Sequence, residues 1–87
     1  MEDKEITSFK EKLNSQHTWP GVYIFKFIVP NDRKEEVERL FEGDEITIKN
    51  SSKGNYASIT VNKVMQNADD VIAVYIEAKK IEGIISL

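Results

Sequence analysis

An α+β sandwich is what this sequence predicts, and three observations predict it. Apolar residues recur at helical spacing in three separate segments, dense β-branched runs lie between them, and no segment repeats another. The two kinds of element alternate as helix, strand, helix, strand, strand, helix, strand. Length and composition agree, since 87 residues with 40% hydrophobic and 31% charged side chains can build one small core. The expectation is a single domain over 1–87, with 1–16 as an N-terminal helical extension.

Ile6, Phe9 and Leu13 stand three and four apart among charges and predict a short amphipathic helix over about 4–14. The run "NSQHTWPG" breaks it, with Pro20 and Gly21 as punctuation. "VYIFKFIV" (22–29) is apolar on both faces and stops at Pro30, which predicts a central strand. Asp32 and Glu35 form a capping-box pattern ahead of the stripe Val37, Leu40 and Phe41, and Gly43 marks a helix stop. "EITIK" (45–49) and "YASITVNKVM" (56–65) both alternate, and the polar, Gly-containing segment between them predicts a hairpin. Asn67 is a natural N-cap, with Asp69 and Asp70 in the first turn. Val71, Val74, Tyr75 and Ala78 then form a buried stripe, widened by Ile72 and Ile76, that closes at Lys79 and Lys80. "IEGIISL" (81–87) predicts a final strand.

Two strand–helix–strand halves around a central hairpin make the ferredoxin-like βαββαβ sandwich. One four-stranded antiparallel sheet carries two helices on one face, plus the short N-terminal helix. The other face is open. Lys26 decides which side is which, because an unpaired lysine is expensive to bury. With Lys26 outward, Ile24 and Ile28 join it, and Tyr23, Phe25, Phe27 and Val29 turn inward. In 56–65 the alternation sends Ala57, Ile59 and Val61 in, and Tyr56, Ser58, Thr60 and Asn62 out. In 45–49 Ile46 and Ile48 point in, Thr47 and Lys49 out. Counting through 81–87 puts Ile81, Ile85 and Leu87 in, and Glu82, Ile84 and Ser86 out. The candidate open-face surface is therefore Ile24, Lys26, Ile28, Ser58, Thr60, Asn62 and Ile84.

Composition narrows the function. The formal net charge of −3 and the interleaving of basic with acidic residues speak against a nucleic-acid binder. There is no cysteine, hence neither a disulfide framework nor a thiol nucleophile, and His17 alone builds no His-based metal site. The start, "MEDKEITSFKEK", is charged where a secretory signal would be apolar, so a soluble cytoplasmic protein is expected, with no membrane partner.

"SSKGNY" (Ser51, Ser52, Lys53, Gly54, Asn55, Tyr56) is the one candidate recognition loop. A phosphate-binding P-loop must open a helix, whereas this segment joins two strands, so a hairpin connection is the simpler reading. "VYIFKF" and "KGNYASITV" loosely resemble the two RNA-recognition-motif strands, but parity buries Tyr23, Phe25 and Phe27 and leaves Tyr56 without a second platform aromatic. RNA is disfavoured. An acylphosphatase-like enzyme needs a phosphate-cradling loop with an arginine after the first strand. "VPNDRKEE" offers Asn31 and Arg33 but no glycine, and Asp32 and Glu35 put negative charge there. His17, beside Trp19, reads as packing rather than as a base.

"FKFIVP" at 25–30, "SSKGNY" at 51–56 and "GIISL" at 83–87, in that order, resemble the YbeD-like family of small uncharacterised bacterial proteins. The likeness covers most of the chain from about Phe9 onward, and the middle motif is its strongest element. It implies a ferredoxin-like fold similar to the ACT-type regulatory domains, and it brings no catalytic residues to carry over. ACT domains typically hold a small ligand where two domains meet, using a loop after the first strand that often contains glycine; here that loop, "VPNDRK", has none. The expectation is a non-enzymatic regulatory or protein-interaction module, without cofactor or metal. It would act through its sheet face or edge on a protein partner or a second copy. The alternative is a small-molecule or anion binder using 51–56 together with Arg33. The N-terminal helix has two places to bury its stripe, one of them across the open face, where it would lessen the reason to associate.

Overall fold

The computed structural model describes residues 3–51 and 53–87. Helix α1 spans Asp3–Gln16 and strand β1 Gly21–Pro30; a 3-10 turn, Asn31–Arg33, leads into α2, Lys34–Leu40. Strands β2, Glu45–Asn50, and β3, Tyr56–Met65, follow, then α3, Ala68–Ala78, and β4, Ile85–Ser86. The sheet order is β2-β3-β1-β4, with every neighbouring pair antiparallel. Strand β3 thus lies between β1 and β2, and β1 between β3 and β4, which is the expected ferredoxin-like α+β arrangement.

β1 and β3 pair over their whole length, from Gly21↔Met65 to Pro30↔Tyr56. Their inward side chains, Phe25, Phe27, Val29, Ala57, Ile59 and Val61, are the floor of the core. Val37 and Phe41 come down on it from the α2 segment, Val71 and Ala78 from α3. Phe25 ties the layers together, its ring centroid 5.6 Å from that of Phe41 and 5.3 Å from that of Tyr75. A phenylalanine removed from water in this way contributes about 2–3 kcal/mol.

Helix α1 joins the helical layer. Leu13 is buried in the core, Ile6 and Phe9 pack against it, and Phe9 meets Tyr75 edge-on at 5.6 Å. The helix lies beside α3, linked to it by Lys10–Asp69 at 3.0 Å, so it leaves the open face of the sheet bare.

Two local signals behave as expected. The Asn67 side chain accepts a hydrogen bond from the Asp70 amide at 2.9 Å and caps α3. Gly43 takes φ +88° just past the end of α2. Two expectations are corrected. The Asp32/Glu35 capping box does not form, because Asp32 falls inside the 3-10 turn and Arg33, without a capping side-chain bond, precedes α2. The final strand is also shorter than 81–87. Residues 81–84 make a turn closed by Ile84 N–H donating to Ile81 O at 3.3 Å, with Gly83 at φ +79°. Alternation does not survive such a turn. Ile85 pairs with Ile28 and Ser86 with Phe27, so Ile85 shares the open side while Ile84 packs on the core. Leu87 donates its amide to Lys26 O at 2.9 Å and is exposed beside that open-face lysine.

Candidate open-face interaction surface

The open face is built by cross-strand rows, since opposed residues of antiparallel strands share a side. One row runs Glu45–Asn62–Ile24, the next Thr47–Thr60–Lys26, and the third Lys49–Ser58–Ile28–Ile85. Of the candidate open-face residues, Ile24, Lys26, Ile28, Ser58, Thr60 and Asn62 all take the side expected of them. Ile84 does not, and Ile85 with Leu87 replaces it. The opposed pair Val22 and Val64 extends the same face at one end. The parity that turns Lys26 outward also turns these two valines outward.

The exchange makes the face more apolar than the alternation suggested. Val22, Ile24, Tyr56, Val64, Ile85 and Leu87 are each 49–67% exposed; among the described residues the other exposed large apolar side chain is Ile76 on α3, which the helical stripe was expected to bury. Thr60 and Asn62 form a polar strip on the face, half-buried by their neighbours.

At the β2–β3 end the hairpin closes by Ser51 N–H donating to Tyr56 O at 2.8 Å and Gly54 N–H to Ser51 O at 3.0 Å. Ser51 Oγ accepts from the Tyr56 amide at 3.3 Å, and Gly54 takes φ +73°, the positive value expected of a glycine in this turn. Lys53, Gly54, Asn55 and Tyr56 are exposed; Ser52 lies outside the described residues. A shallow depression of about 280 Å³ opens on the face beside this hairpin, lined by Ile28, Lys49, Ser51, Tyr56 and Ser58. The loop after β1 reaches the hairpin through Asn31 N–H donating to Asn55 O at 2.9 Å.

Arg33, the partner proposed for an anion at this loop, is already engaged. Its guanidinium contacts Glu36 at 3.4 Å and Glu82 at 3.1 Å. His17 stacks with Trp19 at 5.4 Å and lies 5.2 Å from the Tyr23 ring. Tyr23 and Tyr75 share a hydroxyl contact of 3.1 Å inside the helical layer. Burial, and then that hydrogen bond, push the Tyr75 phenol well above its ordinary value. Among the described residues no helix is long and apolar enough to cross a membrane.

These features define a class of protein: a small ferredoxin-like α+β domain whose helices cover one side of the sheet and leave a partly apolar face bare. The family model described as "Protein of unknown function (DUF493)" matches residues 14–87, and the chain belongs to that family, the YbeD-like group its motifs resemble. UPF0250 proteins of Haemophilus influenzae strains PittEE and Rd are each 32% identical to it over 82 residues, covering 93% of this chain and 85% of the relative. No solved structure matches it significantly.

Proposed function

We propose that this protein is a non-enzymatic interaction module of regulatory type, which binds another protein through the open face of its sheet. The observation that supports this is the one-sided distribution of exposed apolar surface: Val22, Ile24, Tyr56, Val64, Ile85 and Leu87 gather on the face that no described helix covers. Amphipathic elements bury such faces against another layer, and contiguous exposed apolar patches mark interaction sites. The ACT-type regulatory domain that the family resemblance implies fits the same reading. A small-ligand reading draws on the depression at Tyr56 and Lys49, but the Arg33 ion pairs withdraw the cation it relied on.

The test is affinity capture from extract of the native cell, with wild-type protein and Ile24→Asp/Ile85→Asp as paired baits. Both side chains are more than half exposed, so the double variant is expected to fold. A specific protein retained by wild type and lost with the variant is expected. Equal capture by the two baits would remove the open face from the interaction.

A further inference from the structure

We infer that the partner seated on this face is an acidic amphipathic helix of another protein, with carboxylates that meet Lys26 and Lys49. The inference rests on the open-face reading above and adds the partner's chemistry. The chain as a whole carries −3, yet its bare face is cationic. Lys26 stands in its middle row and Lys49 at the β2 side, both exposed, against Glu45 as the one acid of the three rows. Lys53 adds a third exposed cation at the adjoining hairpin tip. The carboxylates that form ion pairs among the described residues go elsewhere: to Lys10, Arg33, Lys63 and Lys80. No carboxylate of the described residues pairs with Lys26, Lys49 or Lys53.

Spacing gives the partner's form. Lys26 and Lys49 are two strands and one same-face step apart, about 12 Å by sheet geometry. On a helix rising 1.5 Å per residue, carboxylates about seven or eight positions apart span that distance on one side. The line between them crosses β3 at Ser58 and Thr60, with Ile28 and the depression beside Tyr56 on one flank and Ile24 on the other, so the partner's apolar side chains would reach these flanks. A helix laid across a bare sheet face is also the standard way such a face acquires its missing layer. A second copy is the poorer occupant. Packing two such faces together sets two pairs of lysines against two Glu45 side chains, and like charges brought together at an interface are costly. A membrane would have to accept Thr60 and Asn62 from the middle of the face without hydrogen-bond partners.

The experiment uses the full chain and two synthetic amphipathic helices with one leucine stripe, flanked by Glu in the first peptide and by Lys in the second. Binding is followed by amide chemical shifts and titration calorimetry. The Glu peptide is expected to bind, to weaken as salt rises, and to lose affinity about tenfold with Lys26→Glu/Lys49→Glu, a loss of about 1.4 kcal/mol. The neutral Lys26→Gln/Lys49→Gln variant is expected to fall between the two. Equal or tighter binding of the Lys peptide, or unchanged affinity in the charge-reversed variant, overturns the acidic partner while leaving the open-face reading standing. So does binding of single-stranded RNA or anionic vesicles with the same lysine dependence, or a salt-independent dimer through this face. If neither peptide binds, the acidic helix is overturned, and the paired-bait capture decides the open-face reading separately.

Discussion

Gly83→Ala is expected to cost this protein about 2–3 kcal/mol, and the cost divides into parts. Gly83 takes φ +79° in the turn that leads into β4, where an alanine pays roughly 1 kcal/mol or more for its Cβ. A Cβ there would also lie 2.8 Å from Pro30 Cγ and 3.2 Å from Cδ. The pyrrolidine ring is bonded back to its own backbone at the end of β1, so it has no rotamer in which to escape. Overpacking of this kind costs about 1–3 kcal/mol. The stiffer unfolded chain returns about 0.5 kcal/mol. Gly54→Ala is the internal control, because φ is +73° there and nothing lies within 4 Å of a built Cβ. It carries the backbone cost alone, about 1 kcal/mol. Urea unfolding measures both, and for a domain of this size the Gly83 variant should melt about 10–20 °C lower. Pro30→Ala in the Gly83→Ala background should recover about 1 kcal/mol as a coupling between neighbours. Equal losses for the two glycine variants, or no recovery from Pro30→Ala, would refute the steric argument.

Three further outcomes follow from the same structure. Asn67→Ala removes the α3 cap and should lower stability by about 1 kcal/mol in urea unfolding, with Asn67→Asp close to wild type. Ile84→Ser should destabilise by about 1–2 kcal/mol because Ile84 packs on the core, while Ile85→Ser, at an exposed site, should stay within about 0.5 kcal/mol. The Tyr75 phenol is held above its ordinary value of about 10, so the folded chain keeps that proton where the unfolded chain releases it. The stability it contributes is complete below about pH 10 and is lost as pH rises above; urea midpoints taken upward through this range should fall less steeply for Tyr75→Phe.

Most of the architecture was legible because two residue patterns are unambiguous. The β-branched run around Lys26 can only be a central strand with one charged exit, and Lys26 then orients every neighbour through strict alternation. Asn67 ahead of two aspartates announces the start of α3 by the same chemistry that caps it. What was not legible depends on turns. A glycine at 83 is visible in the sequence, but its positive φ is set by how β4 must return to β1, and one turn is enough to exchange Ile84 for Ile85. The capping box failed for a similar reason: β1 ends in a 3-10 turn that absorbs Asp32 before α2 begins. Arg33 looked free because Glu82, the nearer of the two carboxylates that hold it, is 49 residues distant along the chain. The placement of α1 was open in sequence terms, since its stripe fits either side of a sheet; the Phe9–Tyr75 and Leu13 contacts settle it within the helical layer.

The last of these placements gives the open face its meaning. Had α1 crossed to the other side, its Ile6, Phe9 and Leu13 would have covered Ile24 and Ile28, and the domain would have buried both faces of its sheet itself. With α1 beside α3, the apolar side chains of the face stay exposed, and the proposed partner is what would remove them from water. The turn at Gly83 enlarges that exposed area, because it adds Ile85 and Leu87 to the face while Ile81 and Ile84 stay with the core. Lys26 then carries two roles. As an exposed charge it keeps the central strand from being apolar on both sides, which limits indiscriminate association. In the proposed interaction, an unpaired cation amid isoleucines would discriminate among partners, since a purely apolar surface would leave it desolvated without a counter-charge. Selectivity on this face is therefore expected to follow the charge at position 26 more closely than the size of any one apolar neighbour.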